Sequence, residues 1–187
     1  NPLYYLREAG LQARLLQLSR DSKLSLQDLL ERYCTERLLY RLSLSPHRTR
    51  FVLKGAMLLI VWGEGSSERV TRDADLLGFG DNSPAIVTAT FREICSVTVD
   101  NDGVEFEMES VVAEEIRAEQ EYVGVRVTMR ARVGNARIPV QADIGFGDAF
   151  TLEAQREGTE HAGDVGVEAL GDLPGRHLPA LVARHMQ

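Results

Sequence analysis

Two carboxylates, Asp73 and Asp75, stand two residues apart in the segment 69–76. Side chains at positions i and i+2 of an extended strand point to the same face, so a strand over residues 71–79 would present both carboxylates together. Paired carboxylates repel each other unless a cation offsets their charge, and a hard ion such as Mg²⁺ suits them. The pattern therefore predicts a metal site, and the alternative is a solvated turn, which Asp-x-Asp sequences also form.

A third carboxylate, Asp143, alternates with Ala142 and Ile144 on a later predicted strand and so faces away from the apolar row. If the two strands are neighbours in one sheet, the three acids converge. Such a cluster suits two-metal phosphoryl transfer, in which one ion activates the attacking hydroxyl and the other neutralises the leaving pyrophosphate. Asp73, Asp75 and Asp143 are thus the predicted catalytic and metal-binding residues, for Mg²⁺ or Mn²⁺. The alternative is a structural domain in which they never converge.

The residues before this pair could bind phosphate. A predicted buried helix begins near Gly55, directly after Lys54. The N–H groups at a helix N-terminus carry partial positive charge, so the backbone of Gly55 and Ala56, with the Lys54 ammonium, could hold triphosphate oxygens. Arg69 and Arg72 are further nucleotide-binding candidates. Either arginine could instead be an ion-pair partner of the neighbouring aspartates.

The sequence patterns that predict the helices and strands around these residues indicate an α/β protein of the α+β type. Two amphipathic helices come first, and the second opens at a capping box over residues 25–28. Ser83-Pro84 predicts the start of a further helix. Alternating apolar residues then predict strands, of which the last two form a hairpin around Gly134-Asn135. We expect a mixed sheet with flanking helices.

The same patterns divide the 187-residue chain into three parts. Residues 1–46 form an N-terminal helical segment, and residues 47–154 form the core that carries the candidate site. Residues 155–187 keep neither the helix nor the strand period, which predicts an irregular, loosely attached tail.

Composition indicates a globular protein of a reducing compartment. The chain is 44% hydrophobic and 26% charged, which is typical of such proteins. Its longest apolar run, residues 56–62, is far too short to span a membrane, and no export leader precedes it. Two cysteines, Cys34 and Cys95, are too few for a disulfide framework or a four-cysteine zinc site. We therefore predict a cytoplasmic protein with no membrane partner.

Charge is distributed unevenly along the chain. Residues 1–54 contain ten Lys/Arg and five Asp/Glu, out of 21 and 28 in the whole chain, so the remainder is strongly acidic. A basic N-terminal face could attract a polyanion such as RNA. Alternatively, these arginines are the solvated sides of two ordinary helices.

Three ordered segments carry a family resemblance. Residues 51–58 read FVLKGAML, residues 69–76 read RVTRDADL, and residues 140–148 read VQADIGFGD. Together they resemble the AbiEii/AbiGii toxin family of nucleotidyltransferases, in the DNA polymerase beta-like superfamily, which includes the MenT toxins. The resemblance implies a toxin of a type IV-like toxin–antitoxin pair, with a cognate antitoxin. It implies Mg²⁺-dependent transfer of a nucleotide from a nucleoside triphosphate, with transfer RNA as the acceptor in the MenT branch.

The resemblance also assigns positions. It implies that Lys54 and Gly55 occupy the Lys-Gly motif, that Asp73 and Asp75 form the metal pair, and that Asp143 is the third carboxylate. These are the residues that the chemistry of the side chains selects independently.

The chain departs from the family pattern in two respects. Ala56 and Met57 stand where the family often has a second glycine and a Ser or Thr. No lysine follows Lys54, so the Glu-Lys pair of a fourth family motif is absent. We therefore expect a truncated or frame-shifted C-terminal part, beginning near residue 155.

Two other functions remain open at this stage. The acceptor could be a Ser, Thr or Tyr hydroxyl of a protein, as in adenylylating relatives. The chain could also be a catalytically impaired, truncated relative that binds nucleotides or its antitoxin without completing the transfer.

Overall fold

The computed structural model describes residues 2–22, 24–54, 73–117, 123–146 and 165–166 of the chain. These residues form three α-helices, one 3₁₀ turn and one mixed sheet, which confirms the predicted α+β class. In chain order the elements are α1 (Pro2–Asp21), α2 (Leu26–Leu44), the 3₁₀ turn (Arg48–Arg50), β1 (Phe51–Lys54), β2 (Ala74–Gly78), α3 (Pro84–Cys95), β3 (Glu105–Arg117), β4 (Val123–Val133), β5 (Ala136–Phe146) and β6 (Val165–Gly166).

The two predicted N-terminal helices are present. Leu15 and Leu18 of α1 are buried on one face, as their spacing requires. At the start of α2, the Asp28 N–H donates to Ser25 Oγ at 3.1 Å, and the Ser25 N–H donates to the Asp28 carboxylate at 3.4 Å. This capping box confirms the predicted helix start.

The sheet has the strand order β3-β4-β5-β2-β1-β6. The pairing of β2 with β5 is parallel, whereas every other pairing is antiparallel. Helix α2 packs against β5, and α3 packs against β3 and β4. The core therefore lies on one face of the sheet, where its buried strand residues include Leu53, Leu76, Val127, Ala142 and Ile144.

The predicted hairpin joins β4 to β5. Gly134 has a φ of +57°, a conformation that glycine adopts without the steric cost of a Cβ. The turn pairs Val133 with Ala136, and the register continues from there to Gly124 opposite Gly145. Alternation along both strands keeps the apolar residues on the helix-covered face.

The loop before β3 ties α2 to the sheet through Asp102. Arg37 Nε lies 2.6 Å from Asp102 Oδ2, and Arg41 donates to both carboxylate oxygens at 2.8 and 3.2 Å. The Tyr33 hydroxyl donates to the Asp102 carbonyl at 2.6 Å. Burial raises the pKa of Asp102, but its ion pairs with Arg41 and Arg37 outweigh that effect and hold the pKa below its ordinary value.

Some expectations differ from the structure or fall outside it. The strand expected over residues 71–79 is shorter, because β2 begins at Ala74 and Asp73 forms a bend before it. The helix expected near Gly55 lies outside the described residues. Within the segment expected to be irregular, Val165–Gly166 pairs with β1. The three-part division of the chain stays a prediction.

Among the described helices, none combines the length and the apolar character needed to cross a membrane.

Candidate active site

Asp75 and Asp143 are direct neighbours across the parallel pairing of β2 with β5. Adjacent strands of a sheet lie about 4.8 Å apart, so two residues in register bring their side chains close together on one face. The residues that flank both aspartates in sequence are buried on the helix-covered face, namely Ala74, Leu76, Ala142 and Ile144. Both carboxylates therefore project from the opposite face, as predicted for Asp143.

The register extends this pair into a row of four charged residues. Lys54 on β1 is opposite Asp75, and Arg126 on β4 is opposite Asp143. We call Lys54, Asp75, Asp143 and Arg126 the charged row. Its two inner members are negative and its two outer members are positive, so each carboxylate has one cation and one anion beside it.

The charge balance within the row affects Asp75 most clearly. Partial burial, followed by repulsion from Asp143 and Asp73, raises the pKa of Asp75 above its ordinary value, while the Lys54 ammonium opposes the shift. Repulsion from the two neighbouring carboxylates thus adds to the effect of burial on Asp75. A bound cation would offset that repulsion.

Asp143 is held by a fork of two hydrogen bonds. Arg126 donates from Nε to Asp143 Oδ1 and from an Nη to Oδ2, each at 2.8 Å. The side chains are 42% exposed for Arg126 and 25% exposed for Asp143. The hydrogen bond and the charge of Asp143 together raise the pKa of Arg126, so the guanidinium stays charged.

Asp73 is exposed and has a different partner. Gln141 Nε2 donates to Asp73 Oδ2 at 3.2 Å. Gln141 lies two residues before Asp143 on β5, so both side chains occupy the same face. The bend at Asp73 thus keeps this carboxylate next to the charged row although it precedes β2.

The side chains at this site are of the type that binds a divalent cation, but their positions do not form a complete binding site. Carboxylate oxygens are the ligands that Mg²⁺ and Mn²⁺ prefer. Within the described residues, however, no three His, Cys, Asp or Glu side chains form a group that could hold a metal ion. Arg126 and Gln141 instead engage Asp143 and Asp73. The structure thus places the three acids within electrostatic reach of one another without assembling a three-ligand centre.

The sequence patterns did not distinguish Arg126 or Gln141 from the other polar residues of β4 and β5. Of the predicted nucleotide-binding residues, the structure places Lys54 in the charged row. The others, Gly55, Ala56, Arg69 and Arg72, lie outside the described residues.

Comparison with known proteins gave one family. The family model described as "Nucleotidyl transferase AbiEii toxin, Type IV TA system" matches residues 37–167 of the chain. The matched segment contains the whole charged row, Asp73 and Gln141. A search of the curated proteins found no match.

Proposed function

The chain belongs to the AbiEii family of nucleotidyltransferase toxins of type IV toxin–antitoxin systems, and we propose that it uses Mg²⁺ to transfer a nucleoside monophosphate from a nucleoside triphosphate to a hydroxyl of transfer RNA. Family membership implies a nucleoside triphosphate substrate and a cognate antitoxin. The observation that carries the proposed site is the parallel register of β2 with β5, which sets Asp75 beside Asp143.

We propose that Asp73, Asp75 and Asp143 hold the metal ions of a two-metal site. Mg²⁺ bound by these carboxylates would lower the pKa of the attacking hydroxyl and offset charge on the phosphates. Asp75 is the central ligand in this proposal, because it lies between Lys54 and Asp143 and feels the repulsion of both other acids.

Lys54 is proposed to bind the triphosphate. It is the outer cation of the charged row on the side of Asp75, so its ammonium can attract phosphate oxygens towards the carboxylates. Gly55, Ala56, Arg69 and Arg72 complete the proposed nucleotide-binding set, on the grounds of their sequence positions.

The proposal of transfer RNA as acceptor rests on the resemblance of three motifs to a family in which the MenT branch uses that acceptor. Two basic residues of the N-terminal segment contribute nothing to an RNA surface, because Arg37 and Arg41 are buried and paired with Asp102. Electrostatic attraction of RNA would therefore depend on the exposed basic residues, which include Arg14, Arg20 and Arg48.

The proposal is tested with the whole protein, Mg²⁺, total transfer RNA and each of the four nucleoside triphosphates labelled at the α-phosphate. We expect one triphosphate to label RNA in a gel. Asp75→Ala should reduce labelling by at least about 100-fold, as for the loss of a group that stabilises charge in the transition state. Glu109→Gln removes an exposed carboxylate of β3 outside the row and serves as the matched control.

The outcomes separate the candidate functions. Undiminished labelling by Asp75→Ala would contradict the role of Asp75. Label on protein rather than on RNA would replace transfer RNA with a protein hydroxyl as acceptor. If the wild type labels no acceptor, the function that is supported is that of an impaired relative, which binds nucleotides or its antitoxin without transferring a nucleotide.

A further inference from the structure

The fork between Arg126 and Asp143 occupies both oxygens of the carboxylate that is proposed to ligate metal. Nε and an Nη each donate at 2.8 Å, one to each oxygen. Bidentate guanidinium–carboxylate pairs of this kind fix the orientation of the carboxylate as well as its charge. Arg126 therefore sets the position of the Asp143 carboxylate.

The fork stands where a metal ion is proposed to bind. Asp75 and Asp143 are in register, yet no group of three acids among the described residues is close enough to hold a metal ion. The charge that a metal ion would supply to Asp143 is supplied instead by the guanidinium. We propose that Arg126 is a competing counter-ion, which holds Asp143 and releases it to an incoming divalent cation.

The structure provides for this release. The pair is partly exposed, 42% for the Arg126 side chain and 25% for the Asp143 side chain, so a cation from solvent can reach the carboxylate. On the other side of Arg126, Glu114 of β3 is directly opposite in the register. Once released from Asp143, the guanidinium has a second carboxylate opposite it, that of Glu114.

Arg126 is in this proposal a positioning residue, because it acts through Asp143. The inference rests on the proposed function only in taking Asp143 as a metal ligand. It concerns the binding of the ion to the nucleotide-free protein and not the transfer reaction.

The test is a titration of the full chain with Mn²⁺ in the absence of nucleotide. The electron paramagnetic resonance signal of free Mn²⁺ measures how much of the ion is bound. Removal of a competing unit charge a few ångströms from the ion should strengthen binding, so we expect Arg126→Gln to bind Mn²⁺ about tenfold more tightly than the wild type. Arg126→Lys keeps the charge but loses the fork, and should fall between the two.

Two controls isolate the contact. Arg130→Gln removes an arginine that lies on the same face of β4, about 13 Å along the strand, and that pairs with Glu107 instead. Its Mn²⁺ affinity should stay within about twofold of the wild type, because solvent and salt screen charge over that distance. In an Asp143→Asn background, Arg126→Gln should no longer tighten Mn²⁺ binding.

Weaker or unchanged Mn²⁺ binding by Arg126→Gln would overturn the proposal, since it would mean that Arg126 supports the ligand or does not touch it. Absence of Mn²⁺ binding from every variant would overturn it too. An Arg126→Lys variant that binds Mn²⁺ as tightly as the wild type would also overturn the proposal. The positive charge alone, and not the fork, would then control Mn²⁺ binding. If transfer fails but Arg126→Gln tightens Mn²⁺ binding, the proposed function falls and this inference stands.

Discussion

At the scale of single residues, the titration of Asp75 depends on its partial burial and on the charges around the candidate site. Burial, Asp143 and Asp73 raise its pKa, and Lys54 opposes them. Because the folded-state pKa lies above the unfolded one, the folded chain binds this proton more strongly. The contribution of Asp75 to stability is therefore lost as pH rises through the pKa range of the group.

We predict that Asp143→Asn lowers the pKa of Asp75 towards its ordinary value, because the second-largest cause of the shift is removed. Carboxyl ¹³C chemical shifts measured across a pH series give the pKa directly. Asp81 is the control, since the Ser83 hydrogen bonds that lower its pKa are independent of the charged row. A pKa of Asp75 that is the same in both proteins would contradict the description of the row.

The contact partners of the acids show what single-residue patterns could and could not predict. Alternation with Ala142 and Ile144 placed Asp143 on the correct face. Arg126 was overlooked because it belongs to a run of alternating arginines with nothing to distinguish it. The signal was nevertheless present, since a two-residue turn at 134–135 fixes the hairpin register and brings Arg126 opposite Asp143.

At the scale of elements, local signals predicted the helices and the hairpin, but not the arrangement of strands. The capping box, Ser83-Pro84 and the alternation in β4 and β5 all act within a few residues, so one sequence reveals them. The neighbours β2 and β5 are separated in sequence by α3, β3 and β4. No local period specifies their pairing, and the contact of Gln141 with Asp73 depends on it.

The two serine caps allow a matched prediction on helix stability. Ser25 accepts a hydrogen bond at the start of α2, whereas Ser83 makes no side-chain capping bond at the start of α3. Ser25→Ala should reduce the free energy of unfolding by about 1 kcal/mol, the usual cost of losing a cap.

Ser83→Ala is the control and should change the free energy of unfolding by less than about 0.5 kcal/mol, as expected where no capping bond is lost. Urea unfolding followed by circular dichroism at 222 nm measures both. Equal losses in the two variants would show that the hydrogen bond of Ser25 is not what stabilises the start of α2.

At the scale of the whole molecule, the N-terminal helices and the sheet share one hydrophobic core. The buried cluster runs from Leu15 of α1 and Leu29 of α2 to Ile144 of β5 without interruption. The family match begins at residue 37, within α2. The boundary predicted at residue 46 therefore separates elements that fold against each other, although the division itself stays a prediction.

The buried cluster of Asp102 with Arg37 and Arg41 makes this shared core sensitive to acid. We predict that Asp102→Asn lowers the free energy of unfolding at neutral pH by about 3–5 kcal/mol, because removing one partner of a buried ion pair leaves the other charges uncompensated. Denaturant unfolding at pH 7 tests this. Asp100→Asn, at an exposed position of the same loop, is the control and should change the free energy of unfolding by less than about 1 kcal/mol, the usual limit for an exposed ion pair.

The pH dependence of the same variant provides a second, independent measurement. Since the pKa of Asp102 is lower in the folded state than in the unfolded state, its ion pairs stabilise the protein fully above the unfolded pKa. That contribution is lost as pH falls through the folded pKa. The stabilities of the wild type and Asp102→Asn should therefore converge on acidification. A difference that stays constant from neutral to acidic pH would mean that the carboxylate charge is not what joins α2 to the sheet.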